Sequence, residues 1–200
     1  KGFIRSLHYL AGLEADIELI DLHDATLIAK FKSDAVTGEY MVAVPAGHEY
    51  AMYVKSNGYL IHSENVRVPD GERGMNMSVD VSLGDMETGS HVTMNNIFFA
   101  SASAELQPNS LAELDQLEQL LRAQASLRLE ISGHTDNTGS EELNASLSQA
   151  RADAVRDHLI RKGITADRLT AVGLGAAQPV AENDTEEHKA LNRRTEVKVL

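Results

Sequence analysis

Apolar positions recur with two different periods along the 200 residues, and the change falls near residue 85. From residue 1 to about 83 they mostly alternate, as half-buried strands require. Leu27, Ala29 and Phe31 share one face, as do Tyr40, Val42 and Val44, and then Tyr50, Met52 and Val54. The cleanest run sets Met75, Met77, Val79, Val81 and Leu83 against Asn76, Ser78, Asp80 and Ser82. Turn-forming residues separate the runs, at Thr37-Gly38, Pro45-Ala46-Gly47, Asn57-Gly58 and Pro69-Asp70-Gly71. This spacing predicts an all-β Greek-key sandwich of about seven strands over residues 1–85.

Asp85 to Ser90, DMETGS, has linker composition, and the linker is placed at residues 86–91. From residue 92 the period lengthens. An apolar run at 92–99 reads as a strand, and Ser110 three residues before Glu113 predicts a capping box opening a helix. Leu114, Leu117 and Leu121 form that helix's buried stripe, widened by Leu111 and Leu120. Residues 127–134 alternate again as a strand, and a second helix is expected from about Ser140 to Lys162, stopped by Gly163. Its buried stripe is expected at Leu143, Leu147, Ala150 and Ala154, with Val155 and Leu159 alongside. Strands at 169–174 and 195–200 complete a β-α-β-α-β-β order over residues 92–200, an α/β sandwich with both helices on one face of a mixed sheet.

Charge narrows the classes of partner. Residues 1–90 and 91–200 carry nets of −7 and −5, and no basic cluster reaches three consecutive residues. Phosphate backbones and anionic bilayer surfaces are held mainly by Lys and Arg, so nucleic acid and direct membrane attachment are not expected. Cysteine is absent, which excludes disulfides and thiolate metal sites. No apolar run approaches the roughly 20 residues of a membrane span, and the chain reads as a soluble piece of a longer protein. His48 and His62 have no third ligand at a plausible spacing, so no metal or other cofactor is expected.

The candidate chemistry lies around the second helix. Seven residues turn about 700°, within about 20° of two full turns, so Asn144, Ser148 and Arg151 share one side. Asp136 lies just upstream, before the Asn137-Thr138-Gly139 turn. A carboxylate and a guanidinium on adjoining elements suit a ligand bearing both an ammonium and a carboxylate. From spacing alone, they could equally pair with each other or cap helices. A hydrolase built from His134, Asp136 and Ser148 is not expected, since residues two apart on a strand seldom bond as a triad does and no oxyanion device is evident.

Two resemblances extend this reading. In the first half, TGEYMVAVPAGHEYAMYVKSNGYL resembles the carboxypeptidase regulatory-like family, a transthyretin-like sandwich. The likeness rests on a Gly-Glu-Tyr strand start, a Pro-x-Gly turn and a Gly-Tyr pair, and it implies a spacer or docking module with a possible protein partner. In the second half, GHTDNTGSEELNASLSQARADAVRDHL followed by RLTAVGLGAAQPVAENDTEEHKALNRRTEV closely resembles the OmpA C-terminal family, shared by outer-membrane anchors, Pal-type lipoproteins and flagellar stator proteins.

That second resemblance implies non-catalytic binding of peptidoglycan through the diaminopimelate of its stem peptide, anchoring an outer-membrane or periplasmic protein in a Gram-negative cell. It implies that Asp136 and Arg151 hold the diaminopimelate, that Thr138, Asn144 and Leu147 shape or touch the pocket, and that the loop from Ala100 through Ser101 to Ala102 offers backbone amides to a carboxylate. Asn192, Arg193 and Arg194 match a terminal motif, for which a mainly structural role is expected. The sequence departs from the family at Ala100, where an Asp is common, and at His188-Lys189, where Gly-Arg is usual. The pairing of the two modules also resembles the C-terminal part of envelope proteins of Bacteroidota-type bacteria, some of which anchor a type IX secretion machine. In that case the sandwich carries protein contacts.

Overall fold

The computed structural model describes residues 1–71 and 76–200, which divide into two compact units, Lys1–Ser90 and His91–Leu200. In the first unit the described residues form β1 (Gly2–Ser6), β2 (Asp16–Asp21), β3 (Leu27–Lys32), β4 (Glu39–Tyr40), β5 (His48–Lys55), β6 (His62–Val68) and β7 (Val81–Leu83). They pair into a three-stranded sheet, β4-β1-β7, and a four-stranded sheet, β3-β2-β5-β6. Both sheets contribute to one apolar core: Ile4, Tyr40, Val81 and Leu83 from the first, Ile17, Leu19, Tyr50, Met52 and Val54 from the second. Gly38 makes the approach of β4 to β1 possible, because its φ is +72° and a Cβ there would lie 2.0 Å from the Ile4 carbonyl oxygen.

Alternation predicts the inward face of β5 correctly but misplaces β3. Leu27 is exposed, because a bulge pairs Leu19 with Ala29 and Ile20 with Leu27. Ile28 is the extra residue and takes the inward position, packed against the core. Val42 and Val44 lie outside any strand yet pack on the core. The long strand expected from Met75 reaches strand geometry only at Val81–Leu83. Before it, Asp80 accepts the Phe3 amide with its side chain at 2.9 Å, in place of a main-chain ladder bond. Met75 lies outside the described residues.

The second unit runs β8 (His91–Met94), α1 (Leu111–Ala123), β9 (Leu129–Gly133), α2 (Glu141–Arg161), β10 (Leu169–Gly173), α3 (Glu186–Asn192) and β11 (Thr195–Val199). Its mixed sheet has the order β10-β9-β11-β8, with β10 parallel to β9 and β11 antiparallel to both its neighbours. A parallel pair needs a crossover, and α2 supplies it. Leu114, Leu117 and Leu121 of α1 are fully buried, as are Leu129 and Ile131 of β9 and Val197 of β11.

Two expectations fail here, and one element lies outside them. Ser110 does not cap α1, because a 3-10 turn at Pro108–Ser110 precedes the helix. Its hydroxyl instead donates to the Phe98 carbonyl and accepts the Phe98 amide, at 2.9 and 2.8 Å. The buried stripe of α2 is Asn144, Ser148, Ala152, Val155 and Leu159, whereas Leu143 is 68% exposed and Ala150 is also exposed. Small and polar residues fill the N-terminal half of that stripe because the helix there touches sheet backbone, leaving no room for leucine. The short α3 was not foreseen: only Asn192 of its seven residues is buried, so it has no apolar period to read.

Candidate functional site

Asp136 stands in the turn that leads from β9 to α2. Main-chain bonds fix this turn before any ligand does: His134 N–H donates to the Arg194 carbonyl and Thr135 N–H to the Gly175 carbonyl, both at 3.0 Å. The Asp136 carboxylate folds back to accept the Thr138 amide at 2.8 Å, an Asx turn. Asn144 donates from Nδ2 to the Asp136 carbonyl at 3.3 Å, and Ser140 caps α2 by accepting the Leu143 amide.

The cation facing Asp136 is one that sequence reasoning assigned elsewhere. Arg193 Nη1 lies 2.6 Å from Asp136 Oδ2 and 3.7 Å from Glu186 Oε2. Of the Asn-Arg-Arg motif, Asn192 and Arg194 are structural: buried Asn192 bonds Val180, Ala181 and Asn183, while Arg194 pairs with Glu196 at 2.6 Å. Arg193 lies between them and projects onto the carboxylate. His188, where the sequence departs from the family, lies in α3 and pairs with Asp184 at 2.5 Å.

Arg151 makes no ion pair with Asp136 within 4.0 Å among the described residues; its Nε donates to the Ser103 carbonyl at 3.0 Å. The two groups still sense each other. Burial and the nearby Arg193 charge lower the Arg151 pKa from its usual value, while Asp136 opposes the shift. For Asp136, burial raises the pKa, but the hydrogen bonds from Arg193 and Thr138 outweigh it and hold the group below 3.8. The site therefore presents two guanidiniums with Asp136 and the exposed Glu186 both beside Arg193, so among the described residues Arg151 has no carboxylate within 4.0 Å and can receive an anion while Asp136 retains an acceptor for a cation.

The remaining predicted positions divide. Thr138 is exposed beside Asp136, and Leu147 is half-buried. Ser101 and Ala102 are exposed, and among the described residues no acceptor engages their amides. Ala100 does not offer its amide, which donates to the Glu105 carbonyl at 3.1 Å. Ser148 is fully buried, donating to the Ala145 carbonyl and accepting the Gly175 amide, so it is packing rather than a nucleophile. His48 and His62 pair with Asp21 and Glu64, and no group of three metal-ligating side chains occurs among the described residues. Nor, among those residues, is any helix long and apolar enough to cross a membrane.

His134 gives this unit a calculable response to acid. It is 1% exposed, and burial together with the Arg194 charge lowers its pKa below 6.5 against the opposing pull of Glu196. The unfolded chain therefore binds a proton that the folded state resists, so stability is complete above pH 6.5 and falls as the pH drops below it. Urea midpoints followed by helical circular dichroism should be lower at pH 5.5 than at pH 7.5, and His134→Gln should shrink that gap. His158, whose pKa is also lowered by burial, keeps some of it. An undiminished gap in the variant would remove His134 from the account.

Residues 98–193 match the OmpA family. The chain is 37% identical over 143 residues to the "Probable lipoprotein YiaD" of Escherichia coli, covering 70% of this chain and 63% of that one. It is 42% identical over 108 residues to the "Peptidoglycan-binding protein ArfA" of Mycobacterium tuberculosis, covering 54% of this chain and 33% of the other. The chain thus spans less than two thirds of the length of these relatives. Among solved structures, the peptidoglycan-associated lipoprotein of Burkholderia pseudomallei is 35% identical, with a TM-score of 0.49 over 52% of this chain and 88% of that chain. Within the second unit, the likeness to the OmpA family covers residues 98–193.

Proposed function

We propose that this domain holds peptidoglycan by the diaminopimelate of its stem peptide and so anchors its parent protein to the cell wall, in the periplasm and in association with the outer membrane of a Gram-negative bacterium. The observation that carries the reading is the cluster of Asp136, Arg151 and Arg193 beside an Asx turn, on a domain whose relatives include a peptidoglycan-binding protein. Diaminopimelate ends its side chain in an amino-acid centre, with ammonium and carboxylate on one carbon. Asp136 has lone pairs left for the ammonium beside the Arg193 contact, and Arg151 offers a planar fork to the carboxylate. Binding needs no bond cleavage, and the buried, doubly bonded Ser148 supplies no nucleophile.

Peptidoglycan with lysine in place of diaminopimelate lacks that carboxylate and leaves a half-buried guanidinium without an anion. Co-sedimentation with purified sacculi should therefore be weaker for lysine-type wall by roughly thirty-fold. Equal retention on both would mean that the ligand is read elsewhere. Released muropeptides in the supernatant would point to an enzyme instead.

The first unit, Lys1–Ser90, is read as a carboxypeptidase regulatory-like sandwich acting as a spacer or docking module, the docking role being that of a multidomain envelope scaffold of the type IX secretion kind. Its support is the motif spacing together with the division into two units. Affinity capture from envelope extracts with the full chain, unmodified and as Arg151→Ala, tests it: a protein retained by both belongs to the sandwich, and the absence of any such protein removes the docking role.

A further inference from the structure

The guanidinium of Arg151 is held by more than its own helix. Its Cζ lies 5.0 Å from the centroid of the Phe99 ring, and its Nε donates to the Ser103 carbonyl at 3.0 Å. These contacts constrain different freedoms. The ring face restrains the guanidinium by cation–π attraction, and the carbonyl fixes its rotation by occupying the Nε–H. What remains for a carboxylate is the pair of Nη groups, approached end-on.

The turn that supplies both contacts is itself braced. Ala100 N–H donates to the Glu105 carbonyl and Ser103 N–H to the Ala100 carbonyl, each at 3.1 Å. Ser103 Oγ accepts the Glu105 amide at 3.0 Å, and Gln107 Nε2 donates to the Phe99 carbonyl at 3.1 Å. Ala102 sits at φ +51°, in the left-handed region that residues with a Cβ seldom adopt, so the turn has a defined shape that its own bonds maintain. A restraint is needed here because Arg193 carries the same charge nearby and disfavours Arg151 where it stands.

We propose that Phe99 and the Ser103 carbonyl form a positioning clamp that presents Arg151 end-on to the ligand carboxylate, so that Phe99 sets the preference for a diaminopimelate-type group without touching it. The proposal rests on the reading that Arg151 binds that carboxylate. Removing the clamp lets the guanidinium swing from its like-charged neighbour and restores the rotamer freedom that binding must then remove.

The test replaces Phe99 in the full chain, site-specifically, with pentafluorophenylalanine, which keeps the ring's outline and reverses the charge on its face. Titration uses the synthetic tripeptide L-Ala–γ-D-Glu–meso-diaminopimelate and its L-lysine counterpart. Affinity for the first should fall roughly three- to ten-fold while the second changes little, and Phe99→Tyr should restore the unmodified value to within about two-fold. In the unmodified protein, the Arg151 Nε–H resonance should be ring-shifted and slow to exchange, and fluorination should move it. An unchanged affinity with the fluorinated ring, alongside loss of binding in Arg151→Ala, overturns the clamp alone. Unchanged binding in Arg151→Ala overturns both the clamp and the diaminopimelate reading.

Discussion

Arg151→Ala and Asp136→Asn should each lower retention on purified sacculi by roughly thirty-fold or more. The two losses have different origins. Truncating Arg151 removes the fork that receives the ligand carboxylate and leaves the Ser103 carbonyl without its donor. Asp136→Asn keeps the acceptor for the Thr138 amide, so the turn survives, but it removes the carboxylate 2.6 Å from Arg193 and leaves only the exposed Glu186, 3.7 Å away on that side. The site then presents two cations to an approaching ammonium. Arg151→Lys separates charge from shape: it keeps the cation but cannot offer two parallel hydrogen bonds, and its affinity should lie between those of the unmodified protein and Arg151→Ala. Circular dichroism controls for folding, since α1, α2 and α3 all lie in this unit. Retention that survives both substitutions would end the account of this cluster as a wall-binding site.

How far the sequence foretold this site differs from residue to residue. The same-side relation of Asn144, Ser148 and Arg151 follows from helical geometry; Asn144 and Ser148 are buried and Arg151 is half-buried. Which side of α2 faces inward was misjudged, because apolar periodicity assumes that helices rest on side chains. In this helix the first two turns rest on glycine backbone, so the inward residues are Asn144 and Ser148 and the leucine at 143 faces out. Arg193 was missed for a related reason. Its role depends on α3, a helix of seven residues without an apolar stripe, and on a contact spanning 57 residues that no local pattern encodes. In the first unit the two-residue period carried the core positions of β5 but not the bulge in β3, which shifts parity within a single step.

The glycine contacts predict the largest change in stability. Gly133 and Gly173 are register partners on the parallel strands β9 and β10. A Cβ on Gly133 would lie 2.3 Å from the Ser148 carbonyl oxygen, and one on Gly173 would lie 2.3 Å from the Gln149 amide nitrogen. Both obstacles are backbone atoms of α2, which cannot rotate away as a side chain does. The seat is also tied by polar contacts: Ser148 Oγ accepts the Gly175 amide at 2.9 Å, and Gln149 Oε1 accepts the Gly173 amide at 2.8 Å. Gly133→Ala must therefore lift the helix, stretch these bonds and open the core at Ala152, at a cost of about 3 kcal/mol. Urea unfolding followed at the helical dichroism band should show the loss. Tyrosine fluorescence should not, because all five tyrosines lie in the first unit. Gly84→Ala, where an added Cβ meets nothing within 4 Å, is the neutral comparison. Arg151 lies three residues beyond Ser148, and Asp136 three beyond Gly133, so the same displacement separates the charges, and wall binding should fall even where the variant remains folded. Wild-type stability in Gly133→Ala would mean that α2 does not rest on the sheet backbone, and the placement of Arg151 would lose its physical basis.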